Sequence, residues 1–247
     1  MEEVVSTADP VKRRLELDAA AEMVRSSYTS ARNEEERFIV ADKALARYDQ
    51  LLTAWKDEPS AQNDVRRARI DRMGALLVRK RTSEVISEYE SLSASGEVPN
   101  YAKRWVASAW LSERQPEKTE AMLMSIYYPN GPIPVTPLGP EDQQDLFYAH
   151  IDNENFDAAK KQVDALIKDS PYLRRIYGSP TPQPNDNWLL GQSLLTQYHI
   201  AANELPEAEK LAEHLARTGS GNQGLRISYA SVLEARGLPH AAEKELK

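Results

Sequence analysis

The chain has 247 residues, of which 41% are aliphatic or aromatic and 28% charged, enough to bury the core of one or two domains behind a polar surface. Its 38 acidic against 31 basic residues leave a formal charge of −7, which argues against nucleic acid as a ligand, since that binding runs on surplus Lys and Arg. No cysteine is present, which excludes disulfide scaffolds, Cys-ligated zinc and Cys nucleophiles.

Glycine is scarce, and Ala, Leu, Glu, Lys, Gln and Arg dominate. These residues lose little rotamer freedom in a helix, so an all-α protein is expected. The first helix runs from Pro10 to Tyr28, with Leu15, Ala19, Met23 and Val24 on one side. The next covers Asn33 to Trp55, where Phe38, Ala41, Leu45, Tyr48, Leu52 and Trp55 recur at steps of three and four. Asn33 with Glu36 forms a start of the capping-box kind. Helices over Asp64–Val78 and Ser83–Leu92 follow.

The second half repeats. Ala208 and Ala242 are 34 residues apart, the tetratricopeptide (TPR) period, and Leu195/Tyr229, Asn203/Gly237 and Leu205/Pro239 share the offset. Each unit reads as helix A, a turn and helix B, with a small residue where the two cross. Ala159 takes that place upstream, with Phe156, Val163, Leu166 and Pro171 around it, and Ala121 is assigned to it one unit earlier, with Trp105 at the front of its helix A. The expected fold is a TPR superhelix, an α-solenoid of helix pairs. Residues 1–98 form divergent N-terminal hairpins and residues 99–247 the TPR units. Two proline-rich insertions, at 129–140 and 170–187, interrupt the period. Such loops on a regular scaffold are tolerated insertions or partner sites.

Chemistry is absent where catalysis would need it. The four histidines lack metal-ligand spacing with carboxylates; His150 and His199 fall where TPR units place a packing aromatic. The run Gly219-Ser220-Gly221-Asn222-Gln223-Gly224 has no strand ahead of it and reads as a helix end and turn. There is no nucleophile elbow, and acidic pairs such as Glu35/Glu36 and Glu141/Asp142 suit first helical turns. Arg66, Arg67, Arg69 and Arg72 read as a solvated face. No enzyme, cofactor or metal is expected.

What remains is surface. In a TPR array the A helices line the concave side. Counted from the shared alanine, one inward position holds Trp110, Tyr148, Gln197 and Ser231, and nearby ones hold Glu113, Asp145, Asp152 and Glu234. Rings beside carboxylates suit a polymer with apolar sugar faces and positive charge. Packing between units is an equal reading of Trp110 and Tyr148. Tyr172, Arg174, Arg175, Tyr177 and Trp188, in or beside the second insertion, are candidates for a partner-protein contact.

Two stretches point further. Asn185–Leu195 (NDNWLLGQSLL) and Gly221–Lys247 (GNQGLRISYASVLEARGLPHAAEKELK) resemble the outer-membrane export porin for the biofilm polysaccharide poly-N-acetylglucosamine. The likeness is close over the last 60 residues or so and general before them. In that family a periplasmic TPR region precedes a C-terminal β-barrel. The resemblance implies a periplasmic piece of a longer outer-membrane protein, continuing into a barrel. It implies a cationic, partially de-N-acetylated glycan as ligand and the periplasmic polysaccharide deacetylase as partner. A general TPR adaptor for a peptide segment is the competing expectation.

Overall fold

A computed structural model describes residues 9–29, 31–132, 134–169, 173–174, 183–184, 186–218 and 223–246. Two compact units are present, Met1–Val135 and Thr136–Lys247, and the boundary falls inside the first proline-rich segment. The first unit holds α1 (Pro10–Thr29), α2 (Glu34–Trp55), α3 (Gln62–Val78), α4 (Thr82–Ala94), α5 (Asn100–Ser112) and α6 (Pro116–Tyr127). The second holds α7 (Pro140–Asp152), α8 (Phe156–Asp169), α9 (Asp186–Ala201), α10 (Leu205–Thr218), α11 (Gln223–Ala235) and α12 (Pro239–Leu246). In the second insertion two residues each of β1 (Leu173–Arg174) and β2 (Gln183–Pro184) pair antiparallel, Leu173 opposite Pro184. The fold is all-α, built of helix pairs.

Within each unit consecutive helices pack antiparallel to build pairs, and the odd-numbered helices also touch one another: α1 with α3, α3 with α5, α7 with α9, α9 with α11. This is the TPR arrangement, in which the A helices form a wall of their own. The A-to-B turns of the last five pairs are the same object. Lys80, Arg114, Glu154, Asn203 and Gly237 each sit in the left-handed region, with φ of 56, 56, 57, 60 and 74°. Each is bracketed by the same hydrogen bonds: at the α5–α6 turn, Glu113 N–H donates to Ala109 O, Arg114 N–H to Leu111 O and Gln115 N–H to Trp110 O. These bonds satisfy the carbonyls a helix end leaves unpaired. Lys80 to Arg114 and Asn203 to Gly237 are both 34 residues.

The turn defines the repeat frame. Five residues beyond each left-handed residue lies a wholly buried side chain: Val85, Thr119, Ala159, Ala208 and Ala242. Thr119, not Ala121, therefore occupies the crossing position of the α5–α6 pair, and Ala121 is exposed. The Thr119 hydroxyl donates to Ala107 O at 2.8 Å, so a polar residue fills an alanine's place without leaving an unpaired donor. In this frame α3–α4 is a regular repeat, hidden from the sequence by a valine at its crossing point.

The first pair differs. α2 begins as expected, Asn33 Oδ1 accepting from Glu36 N–H at 2.9 Å. α1 buries Leu17, Ala20 and Val24, while Leu15 is 64% exposed and Met23 also faces outward. The expected stripe through Leu15, Ala19 and Met23 is corrected by Arg13. That side chain is buried and bonds Asp64 Oδ2 at 2.6 Å and Ser60 O at 3.0 Å, which turns its own face of α1 inward.

The basic run on α3 is not a loose solvated face. Arg66 donates to Leu92 O of α4 and to Ser95 Oγ and Glu97 O beyond it, Arg67 to Asp18 of α1, Arg69 to Glu88 of α4 and Arg72 to Asp49 of α2. Each guanidinium ties α3 to a neighbouring element, and about two turns beyond Arg72, Arg79 pairs with Asp42 and covers the Phe38 ring at 4.4 Å.

The left-handed turns yield a paired prediction. Glu154→Gly should raise unfolding stability by about 0.5–1 kcal/mol by removing a Cβ from a strained position. Gly237→Ala, whose added Cβ meets nothing within 4 Å, should lower it by about 1 kcal/mol from backbone strain alone. Urea unfolding of the three proteins measures both; equal midpoints would show that the turns do not carry strain.

Candidate functional site

The A-helix wall of the second unit carries five of the expected ligand residues. Asp145, Tyr148 and Asp152 lie on α7, Gln197 on α9 and Glu234 on α11, and α9 packs against both of the others. Asp152 and Glu234 are exposed, whereas Asp145, Tyr148 and Gln197 are half-buried. Tyr148 meets Phe147 edge-on at 5.3 Å and packs against the Phe147, Ala159, Val163 and Leu194 cluster. Burial pushes its hydroxyl pKa up. It is a part-core residue that keeps some solvent exposure.

Trp110 is different. It is 8% exposed and belongs to the core of the first unit. Tyr89 stands edge-on to it at 5.8 Å, the Lys118 ammonium lies 5.6 Å from its ring centroid, and its buried Nε1 has no hydrogen-bond partner in the structure. The turn frame explains the misplacement. Trp110 is equivalent to His150 and His199, the packing-aromatic position, two residues beyond the inward one. His150 is likewise buried, and His199 Nδ1 lies 2.7 Å from Glu204 Oε2. The inward column is Gly74, Ser108, Tyr148, Gln197 and Ser231. Glu113 is exposed and accepts a bond from the Thr82 hydroxyl, bridging the end of α5 to the start of α4.

Three residues earlier in the frame stand Asp71, Trp105 and Asp145. Here the first unit presents a polar and aromatic group. Tyr101 donates its hydroxyl to Asp71 Oδ1 at 3.0 Å and stands edge-on to Trp105 at 5.2 Å. Arg67 Nη2 bonds Asp18 Oδ1 at 2.7 Å, and its Nε lies 3.5 Å from Asp71 Oδ2. Glycine at 74 gives Trp105 its seat: a Cβ there would fall 3.1 Å from the indole edge. Burial raises the Asp71 pKa from its ordinary value, against the opposing pull of Tyr101 and Arg67.

Of the partner-loop candidates, Tyr172, Arg175 and Tyr177 lie outside the described residues. The Arg174 backbone pairs with Gln183, and Trp188 is half-buried in the first turn of α9. Among the described residues no group of His, Cys, Asp and Glu could hold a metal ion, and no helix is long and apolar enough to cross a membrane.

The architecture is that of a TPR protein. A tetratricopeptide repeat protein from Parabacteroides merdae shares it with a TM-score of 0.56 over 92% of this chain and 77% of that one, at 14% identity. No family model matches the sequence. In sequence, 231 residues, 93% of the chain, are 44% identical to the poly-beta-1,6-N-acetyl-D-glucosamine export proteins of Escherichia coli strain K12 and of Escherichia coli O157:H7. The chain spans 28% of the length of those relatives.

Two outcomes are expected. Trp110→Ala should cost roughly 3–5 kcal/mol of stability, the range for a buried aromatic, measured by denaturant unfolding; a cost near zero would return Trp110 to the surface. Asp71→Asn should stabilise the protein at neutral pH. The folded state holds the Asp71 proton more tightly than the unfolded chain, so stability falls as pH rises through the carboxylate range. The gain should therefore be absent below the ordinary Asp pKa of about 3.9 and grow above it. Melts across pH check the crossover, and a gain that does not vary with pH would refute the shift.

Proposed function

We propose that the chain is a non-catalytic TPR scaffold of an exporter of poly-N-acetylglucosamine, positioned on the periplasmic side of the outer membrane. The observation that carries this reading is the 44% identity, sustained along 93% of the chain, to proteins named for export of that polymer. The fold and charge support it. Within each unit the A helices form an open wall of repeated elements, the kind of surface a moving polymer requires. The excess of 38 acidic over 31 basic residues suits a glycan carrying ammonium groups.

In this reading Asp152 and Glu234, exposed on α7 and α11, meet the free amines of de-N-acetylated sugars by charge-assisted hydrogen bonds. Asp145 and Gln197 add polar contacts, and the open side of Tyr148 offers area to a pyranose face. Each contact is weak, as release along a transport route demands. The second insertion, from Tyr172 through Arg174, Arg175 and Tyr177 to Trp188, docks the periplasmic deacetylase, and the polypeptide continues into an outer-membrane β-barrel.

The test is calorimetric titration of partially deacetylated β-1,6-glucosamine oligomers. Saturable binding should be tighter than for fully acetylated oligomers and weaken several-fold as salt rises from about 0.05 to 0.3 M. Asp152→Asn with Glu234→Gln should remove most of that salt dependence. Indifference to both acetylation and salt would sink the reading. Failure of every oligomer, with tight binding of an acidic peptide, would favour a peptide adaptor instead.

A further inference from the structure

The A-helix wall of the first unit differs in chemistry from that of the second. Its carboxylates are not available as bare charges. The Arg67 guanidinium stands between Asp18 and Asp71, 2.7 Å from one and 3.5 Å from the other. An incoming ammonium would meet that guanidinium at close range, and repulsion would offset what the two aspartates offer. A group that both donates and accepts hydrogen bonds fits better, because the cluster presents both. Arg67 and the Tyr101 hydroxyl supply donors, and Asp18 and Asp71 supply acceptors. Sugar hydroxyls and an acetamido group have this dual character and carry no charge.

The aromatic part is placed beside these polar groups. Trp105 is half-buried and seated on the bare Gly74 backbone, and Tyr101 is 38% exposed and perpendicular to it. The polar part is graded in depth. The Arg67 and Asp18 side chains are 40% and 50% exposed, while Asp71 is 13% exposed at the base. Behind it Tyr48 of α2 is wholly buried, and its hydroxyl has no hydrogen-bond partner in the structure. The charge that bears on it most is that of Asp71, followed by Arg67. An unpaired buried O–H is costly and marks a place where another arrangement is available.

We propose that Asp18, Arg67, Asp71, Tyr101 and Trp105, on the wall formed by α1, α3 and α5, make a subsite for one uncharged pyranose, an N-acetylated hexosamine of the polymer. The sugar's apolar face and acetyl methyl lie against Trp105 and Tyr101, and its hydroxyls and amide exchange hydrogen bonds with Arg67 and Asp71. The proposal rests on the glycan reading above. It gives the two walls different tasks, the first unit reading acetylated residues and the second reading free amines. A partially deacetylated polymer carries both.

The experiment titrates two probes into the whole chain, a fully N-acetylated β-1,6-glucosamine hexamer and its fully deacetylated counterpart, with tryptophan fluorescence and calorimetry as readouts. The acetylated hexamer should bind with little salt dependence. Tyr101→Phe and Trp105→Ala should each weaken it by about tenfold, a loss in the range expected when one aromatic or buried polar contact is removed. The deacetylated hexamer should be unaffected by either. Tyr101→Phe keeps the ring and so decides the matter if Trp105→Ala disturbs folding. If the acetylated hexamer fails to bind, or binds both variants like the parent, the subsite is refuted. Salt-sensitive binding of the deacetylated hexamer would then leave the broader reading standing. If neither hexamer binds, both fall.

Discussion

The organisation of this chain depends on one backbone constraint, a residue held in the left-handed region between two antiparallel helices. The constraint fixes where helix A ends, satisfies its last carbonyls and sets the start of helix B. It also places a buried residue five positions on. Val85, Thr119 and three alanines fill that position. Four of the five turns use Lys, Arg, Glu or Asn where glycine would be least strained, so tertiary packing enforces the conformation there. Once the turn is set, both the A-helix wall and the crossing geometry follow.

Much of this is legible in the sequence. The 34-residue offset between Ala208 and Ala242 reports the last two repeats, and proline density reports the insertions. The signal degrades where the crossing residue is not alanine. Thr119 fits because its hydroxyl finds Ala107 O, and Val85 fits through shape, but neither resembles alanine to a reader of the sequence. Choosing Ala121 instead shifts the frame of the α5–α6 pair by two residues, which turns a buried tryptophan into an apparent groove residue, while the valine at 85 leaves Asp71 of α3 outside any frame. A two-residue error on a helix is about 200° of rotation, nearly the opposite face. The residue types, rings beside carboxylates, are therefore readable in the sequence, whereas which of them share a helix face depends on the turn frame.

The arginines of α3 teach a related lesson. A cluster of four within seven residues looks like a charged surface, yet each finds an acceptor on another element. Charge patterning along one helix cannot show this, because the partners lie from 19 to 49 residues away. Arg67 is the member that stands between two aspartates, so that neither is left as a bare anionic site.

The two units also differ in how their interiors are joined. Among the described residues, one continuous apolar cluster runs from Leu17 of α1 to Trp110 of α5 in the first unit. The second is held by smaller groups, one around Phe147 and Leu194, one around Ala208 and Val232, one around Leu233 and Ala242. A single cluster opens as a block, whereas separate ones open piecemeal. Amide protons of the first unit would then exchange with solvent in concert, and those of the second pair by pair. Such local breathing would let α7 to α12 adjust pair by pair while α1 to α5 hold together as a block.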